Sequence, residues 1–159
     1  MKKVNRAEFM RSWGLDPRKV SLRYKNPLEK GVYWYYFSKY VRERDVRMWG
    51  TCISCGRPIT VDTSDAGHFM PAKGCGRDLL FDETNVNAEC SKCNAWDDTH
   101  LLGYAEGLDL RYGIGTALVL RQRYALYKNG DVVKDWKAKE YAEKIKALPS
   151  YQQAMKDVA

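Results

Sequence analysis

The chain lacks any apolar run near the roughly twenty residues that a membrane-spanning helix needs, so a transmembrane class is excluded. The first eleven residues, Met1 to Arg11, are basic but carry no apolar stretch of the secretory kind, and a cytoplasmic location is expected. There are no internal repeats and no low-complexity tracts. Histidine is scarce, two in 159 residues, so His68 and His100 are weighed one by one. Five cysteines are present without a secretion signal, and four of them sit in paired C-x-x-C knuckles, which favours a bound metal over a disulfide framework. Acidic residues are short at one end. Met1 to Gly50 holds thirteen Lys and Arg against five Asp and Glu, while the remainder holds fourteen against fifteen, so the net charge of +7 is wholly N-terminal. Such a one-sided basic segment suits a polyanion, most simply nucleic acid; a solvated arm is the plainer alternative.

What is present is organised around Cys52 to Asn94. It reads C-I-S-C-G, then C-S-K-C-N, with thirty-four residues, Gly56 to Glu89, between Cys55 and Cys90. A two-residue gap lets both thiolates of one knuckle reach one ion at about 2.3 Å, so Cys52, Cys55, Cys90 and Cys93 are the expected zinc ligands. Cys75 reads as a thiol in a Gly-rich loop.

With 159 residues, 45% of them hydrophobic, one core of ordinary size can form. A short helix near Phe9 to Leu15 and an extended arm are expected first, with Pro27 opening an amphipathic helix over 28–47. Its polar face carries Lys30, Lys39, Arg42, Arg44 and Arg47, and with Lys73 and Arg77 these are the candidate DNA contacts. The aromatics Tyr33 to Phe37 and Tyr40 are assigned mainly to the core, with stacking on bases or sugars open to one or two. A short strand is expected over 57–63, a second over 65–70, then a loop to Arg77. Cys93 and Asn94 should lie at the start of a helix. Further helices are expected over 99–112, 116–127 and 133–148, with a short one in the tail. The first would present Leu101, Leu102, Tyr104, Ala105 and Leu108 on one apolar side, and the second Leu118, Val119, Tyr124 and Leu126. The expected organisation is 1–50, 51–113 and 114–159: a basic arm with its helix, a zinc-bound core, and a helical region.

Between the knuckles, His68 has the chemistry of a general base, since a neutral imidazole can take a proton from water near neutral pH. A zinc ligand or a packed residue are the other readings, and four cysteines already complete a zinc shell. Asp65 and Asn94 offer oxygens suited to a hard cation such as magnesium. Asn85 reads equally as a residue that orients the loop or as an ordinary turn residue.

The arrangement resembles the HNH nucleases of the His-Me finger superfamily. In these a zinc-knuckled hairpin and the following helix carry a His base, a middle Asn and a terminal His or Asn. His68, Asn85 and Asn94 stand in those three places. The C-x-x-C-N form of the last element looks like the phage junction resolvase of the endonuclease VII type. A closer resemblance is to the lambdoid phage NinG (Rap) recombination endonucleases. It is carried in register by R-E-R-D (Arg42 to Asp45), C-I-S-C-G (Cys52 to Gly56), D-A-G-H-F (Asp65 to Phe69), L-x-F-D-E-x-N-V (Leu79 to Val86) and C-x-x-C-N (Cys90 to Asn94). It continues into L-L-x-Y (Leu101 to Tyr104) and Gly113.

The resemblance implies an α+β fold: a zinc-knuckle, treble-clef-like ββα-metal HNH core with flanking N- and C-terminal helices. It implies a phage-encoded endonuclease acting in the host cytoplasm on branched DNA, such as Holliday junctions and D-loops. His68, Asn85 and Asn94 would be catalytic, zinc structural, and magnesium or manganese the catalytic ion. Many HNH nucleases carry an Asp directly before the base. Gly67 stands there in this chain, and Asp65, three residues before His68, is assigned as the ligand with Asn94. His100 stands where relatives carry an Asn, and reads as a second ligand, a phosphate contact or a polar helix-start residue. Asp97-Asp98-Thr99 replaces the expected S-G before it. The alternative function is a non-catalytic zinc-stabilised DNA-binding recombination protein, and a third is a mediator acting through residues 114–148. A homodimer would suit two incisions.

Overall fold

The computed structural model describes residues 5–73, 75–96, 99–129 and 135–158. In chain order these form α1 (Arg6–Ser12), α2 (Leu28–Met48), β1 (Ser64–His68), α3 (Arg77–Leu80), β2 (Val86–Cys90), α4 (Ser91–Trp96), α5 (His100–Tyr112), α6 (Thr116–Lys128), α7 (Ala138–Ala147) and α8 (Pro149–Val158). The class is mixed, with one small antiparallel sheet of β1 and β2. Among the described residues, no helix is long and apolar enough to cross a membrane.

Contacts divide the chain into two units: residues up to Tyr40 together with those from Trp136, and Val41–Asp135. The linear partition at 50 and 113 differs from this because the two ends of the chain share one unit. In that unit the aromatic run of α2 is core, with Tyr33, Trp34, Tyr36 and Phe37 all buried. The Tyr36 hydroxyl donates to Trp13 O at 2.7 Å, and the Ser150 hydroxyl donates to Tyr36 O at 2.6 Å. Tyr33, Trp136 and Tyr141 pack ring against ring at 5.2–5.9 Å. The expected helix from Val133 starts later. Residues 131–134 lie outside the described ones, and α7 opens after Lys137, whose amide donates to the Glu140 carboxylate at 2.8 Å.

In the second unit, Ile53, Phe69, Met70, Leu79, Tyr104, Leu108, Ala117 and Leu120 form one core cluster. The buried side of α5 is Tyr104, Gly107 and Leu108, whereas Leu101 and Leu102 are exposed. On α6 the buried residues are Ala117 and Leu120, and Leu118, Val119 and Leu126 face solvent. Of the apolar sides read from the sequence, Tyr104, Ala105 and Leu108 of α5 and Tyr124 of α6 meet this core, while the other members do not.

No strand forms over 57–63, contrary to expectation. Thr60 and Thr63 close a local turn instead, each side-chain oxygen accepting the other's amide at 2.8 and 3.2 Å. Local side-chain bonds of this kind compete with ladder pairing. Only an isolated bridge, Thr51 to Pro58, pairs that stretch. The second expected strand forms as β1, ending at His68. Asp97 and Asp98 lie outside the described residues.

Candidate metal centre and the hairpin beside it

The Sγ atoms of Cys52, Cys55, Cys90 and Cys93 all lie within 4.8 Å of one another. Those of Cys55 and Cys90 are 3.9 Å apart. Thiolates held tetrahedrally at about 2.3 Å from zinc would stand roughly 3.8 Å apart, so the four can hold a metal such as zinc. The first knuckle is shaped by backbone bonds from Gly56 N to Cys52 O at 2.9 Å and Cys52 N to Arg57 O at 2.8 Å. It is tied to β2 by Ile53 N to Ala88 O at 3.2 Å. Against its other side lies α5. A Cβ on Gly103 would run into Ser54 O, and one on Gly107 into Ile53 O, so glycine is required for this close approach. Cys75 stands apart from the four, its thiol directed to Ala72 O at 3.4 Å.

The strand register pairs His68 with Val86, Gly67 with Asn87, Asp65 with Glu89 and Ser64 with Cys90. His68 Nε2 lies 3.0 Å from Leu80 O. A carbonyl oxygen only accepts, so the proton sits on Nε2 and Nδ1 is the basic nitrogen of the neutral ring. Asn85 is fully buried. Its Oδ1 accepts from Met70 N at 2.7 Å, and its Nδ2 donates to Met70 O at 3.2 Å and Leu79 O at 2.9 Å. Asn85 thus ties Met70 to Leu79 of α3, and the next carbonyl, Leu80 O, receives His68. The Tyr104 hydroxyl, also buried, donates to Gly67 O at 2.9 Å. Burial pushes that phenol well above its ordinary value, so it stays a donor.

Asn94 lies on α4, which packs against both strands. A Cβ at Gly67 would collide with Glu89 Oε2 and sit 2.9 Å from Asn94 Oδ1, so two oxygens converge on the face of residue 67. Glu89 is the residue that sequence reasoning missed. It is fully buried, and its Oε1 accepts from the Ser54 hydroxyl at 2.5 Å and from His100 Nδ1 at 2.9 Å. Burial pushes its carboxyl up; the Ser54 and His100 hydrogen bonds oppose this, and the charge of Asp65 adds to it. The available signal was an acidic residue inside V-N-A-E-C, a strand buried at every position. His100 is the first residue of α5 and a partner of Glu89.

The basic candidates fare differently. Arg47 and Lys73 are exposed, and Lys30, Lys39, Arg42 and Arg77 are half-buried. The Arg42 guanidinium donates to Val61 O at 2.9 Å. Arg44 is buried and its donors are used internally, on Asp45 at 2.7 Å, Glu83 O at 3.0 Å and Val86 O at 3.2 Å. It braces α2 against β2, so its guanidinium is not presented to a phosphate.

A family model described as Bacteriophage Lambda NinG protein matches residues 6–156. The ninG protein of Salmonella phage P22 is 32% identical over 119 residues, covering 75% of this chain and 52% of that protein. The ninG protein of Escherichia phage 933W is 31% identical and that of Escherichia phage lambda 30%, each over the same lengths. The chain spans about half the length of the curated relatives it matches. No solved structure matches it significantly. Four clustered cysteines and a two-stranded hairpin leading into a helix are thus features of a chain that belongs to the phage NinG family.

Proposed function

We propose that the protein is a metal-dependent, structure-specific endodeoxyribonuclease of the HNH type, cutting branched DNA formed during phage recombination. One observation carries the reading. His68 is held by a backbone carbonyl in the tautomer of a base, next to Gly67, over which Asn94 and Glu89 direct oxygens.

The proposed reaction is hydrolysis of one phosphodiester. His68 Nδ1 takes a proton from water, and the resulting hydroxide attacks phosphorus in line with the departing 3′ oxygen. A divalent cation, magnesium or manganese, supplies charge stabilisation to the phosphate and leaving oxygen when bound. Asn94 and a carboxylate of the strand pair, Asp65 or its neighbour Glu89, are suited to hold it. Asn85 positions His68 through its tie to Leu79, beside Leu80. Zinc in the four-thiolate cluster has a structural role, because a closed shell offers no position for water. Arg47, Lys73 and Arg77, with Lys30, Lys39 and Arg42, are the basic residues proposed to meet DNA. Two cuts across a junction require two sites, which a homodimer would supply; Leu110, Ile114 and Leu118 are each exposed and are candidate contacts for it.

The test uses a labelled synthetic four-way junction and a matched linear duplex. Magnesium-dependent cutting of the junction, abolished in His68→Ala with binding retained, is expected. Tight junction binding without cutting in either magnesium or manganese would leave a non-catalytic DNA-binding protein instead.

A further inference from the structure

We propose that one face of α6, Arg121 and Lys128 with Tyr124 between them, is a DNA surface that runs on from His68 and grips the backbone phosphates of the duplex arm being cut. The purpose of the surface rests on the nuclease reading, but binding to it is testable without cutting.

α6 contains three cations, Arg121, Arg123 and Lys128, and no Asp or Glu. Arg123 is taken up inside the fold, its Nη1 standing 2.6 Å from Asp82 Oδ2. The other two are placed differently. They are two turns apart on one side of the helix, about 10.5 Å along its axis, and Tyr124 lies between them. Arg121 Cζ lies 5.5 Å from the centroid of the Phe69 ring, and Lys128 Nζ lies 5.6 Å from that of Tyr124. Both cations are exposed, and neither has a hydrogen bond or ion pair among the described residues. An aromatic face steadies a cation without using its N–H donors, so those donors stay open to an acceptor in solvent.

Three contacts join this face to the hairpin. Phe69, beneath Arg121, directly follows His68. The Tyr124 hydroxyl donates to Lys73 O at 3.4 Å, and a Cβ at Gly76 would stand 2.8 Å from Tyr127 Cε1. α6 also packs against α3, whose Leu80 O receives His68. The 70–76 segment between His68 and α6 carries Lys73 and no acidic residue. Overall charge hides the strip, since the chain beyond Gly50 balances at fourteen basic residues against fifteen acidic ones. Duplex DNA carries a phosphate for every 1.7 Å or so of its axis, so a line of cations this long meets several phosphates of one arm. Arg121, anchored beside the base, holds a phosphate close to the one hydrolysed, and Lys128 holds the arm beyond it.

The experiment measures binding of the zinc-loaded full chain to a labelled four-way junction and to a linear duplex, by fluorescence anisotropy across a salt series without added magnesium or manganese. Changing Arg121 and Lys128 together to Gln should raise Kd about tenfold or more on both DNAs and flatten log K against log salt by about two units. Arg121→Gln alone should lose about one unit, and Arg121→Lys, which keeps the charge, should keep the wild-type slope. Lys139 and Lys146, both exposed on α7, provide the control: changing them together to Gln should move the slope by less than about half a unit. An unchanged slope in the α6 pair overturns the proposal. So does an equal loss in the α7 pair, which would reflect net charge alone. If Arg121→Gln fails to fold, Lys128→Gln decides: a loss of about one unit supports the surface, and no loss overturns it. A slope lost as expected in a chain that cuts no junction would sink the nuclease reading alone. Magnesium-dependent cutting with the slope unchanged in the α6 pair would sink only this surface.

Discussion

Asp45 Oδ2, on the last turns of α2, accepts the backbone amide of Ala88 in β2 at 2.7 Å. Its other oxygen accepts from Arg44 Nε at 2.7 Å, and Arg111 Nη1 stands 3.6 Å from Oδ2. All of this is buried, with the Asp45 side chain at 0% exposure and those of Arg44 and Arg111 at 9% and 6%. Breaking a buried pair by removing one partner costs about 3–5 kcal/mol. Asp45→Ala is therefore expected to lose about that much in urea unfolding. A loss below about 1 kcal/mol would show that the carboxylate is not what joins α2 to β2.

Asn85 links the fold to the proposed chemistry. Asn85→Ala removes three hydrogen bonds to Met70 and Leu79 and should destabilise by about 2–4 kcal/mol. Because Leu80 O anchors His68, junction cutting at saturating DNA should fall by roughly a hundredfold even at temperatures where the variant is folded. A folded variant with the wild-type rate would separate Asn85 from the base.

Metal removal acts on stability. In zinc-finger peptides a structural zinc site is worth about 10–16 kcal/mol in apparent terms, comparable with the roughly 5–15 kcal/mol of a whole domain. Cys55→Ser or a strong chelator is expected to strip zinc and unfold Val41–Asp135, read by metal analysis and circular dichroism. Retained zinc content and melting temperature would reject the four-thiolate assignment.

Asp82 supplies an acid-sensitive brace. Its Oδ1 accepts from Thr84 N at 2.8 Å and Asn85 N at 3.3 Å, and Oδ2 pairs with Arg123 at 2.6 Å. Burial alone would raise its carboxyl, but the Thr84 and Arg123 bonds outweigh it and hold it below the ordinary 3.8. A depressed folded value means that this stability is fully present above pH 3.8 and is lost as pH falls through the folded value. Asp82→Ala should cost about 1–3 kcal/mol at neutral pH and remove part of the acid-induced fall in the urea midpoint. An identical pH dependence in the variant would exclude Asp82 as its source.

Phosphate contacts leave a salt signature. Changing the exposed Arg47 and Lys73 together to Gln should weaken junction binding and flatten log K against log salt by about two units, near 0.9 for each lost contact. Fluorescence anisotropy across a salt series measures this. An unchanged slope would remove both from the interface. Arg44→Gln is expected to lower stability instead, since its guanidinium is buried.

Some of this was legible in residue order. C-x-x-C spacing is short-range chemistry, and it identified the four cysteines that the fold gathers. Helix periodicity gave α2, α5 and α6 to within a residue or two, because helices are held by local bonds. The aromatic run of α2 was rightly given mainly to the core. The apolar side of α5 was right in Tyr104, Ala105 and Leu108 and wrong in Leu101 and Leu102, because Gly103 and Gly107 take α5 against backbone carbonyls of the knuckle; on α6 only Tyr124 of the expected side packs on the core. The strand expected over 57–63 failed for a local reason, the Thr60–Thr63 turn.

Residue order by itself determined the metal bracket, the basic N-terminal third and the family, since each depends on residue type and short spacing. It could not place a carboxylate beside Gly67, because Glu89 lies twenty-two positions on and reaches the gap only through a strand pairing and a turned side chain. The same holds for Arg44: charge marks a candidate contact, but burial against Asp45, Glu83 and Val86 makes it a brace. Tertiary structure decided both, because which atoms lose water and which oxygens converge is fixed only when distant segments pack.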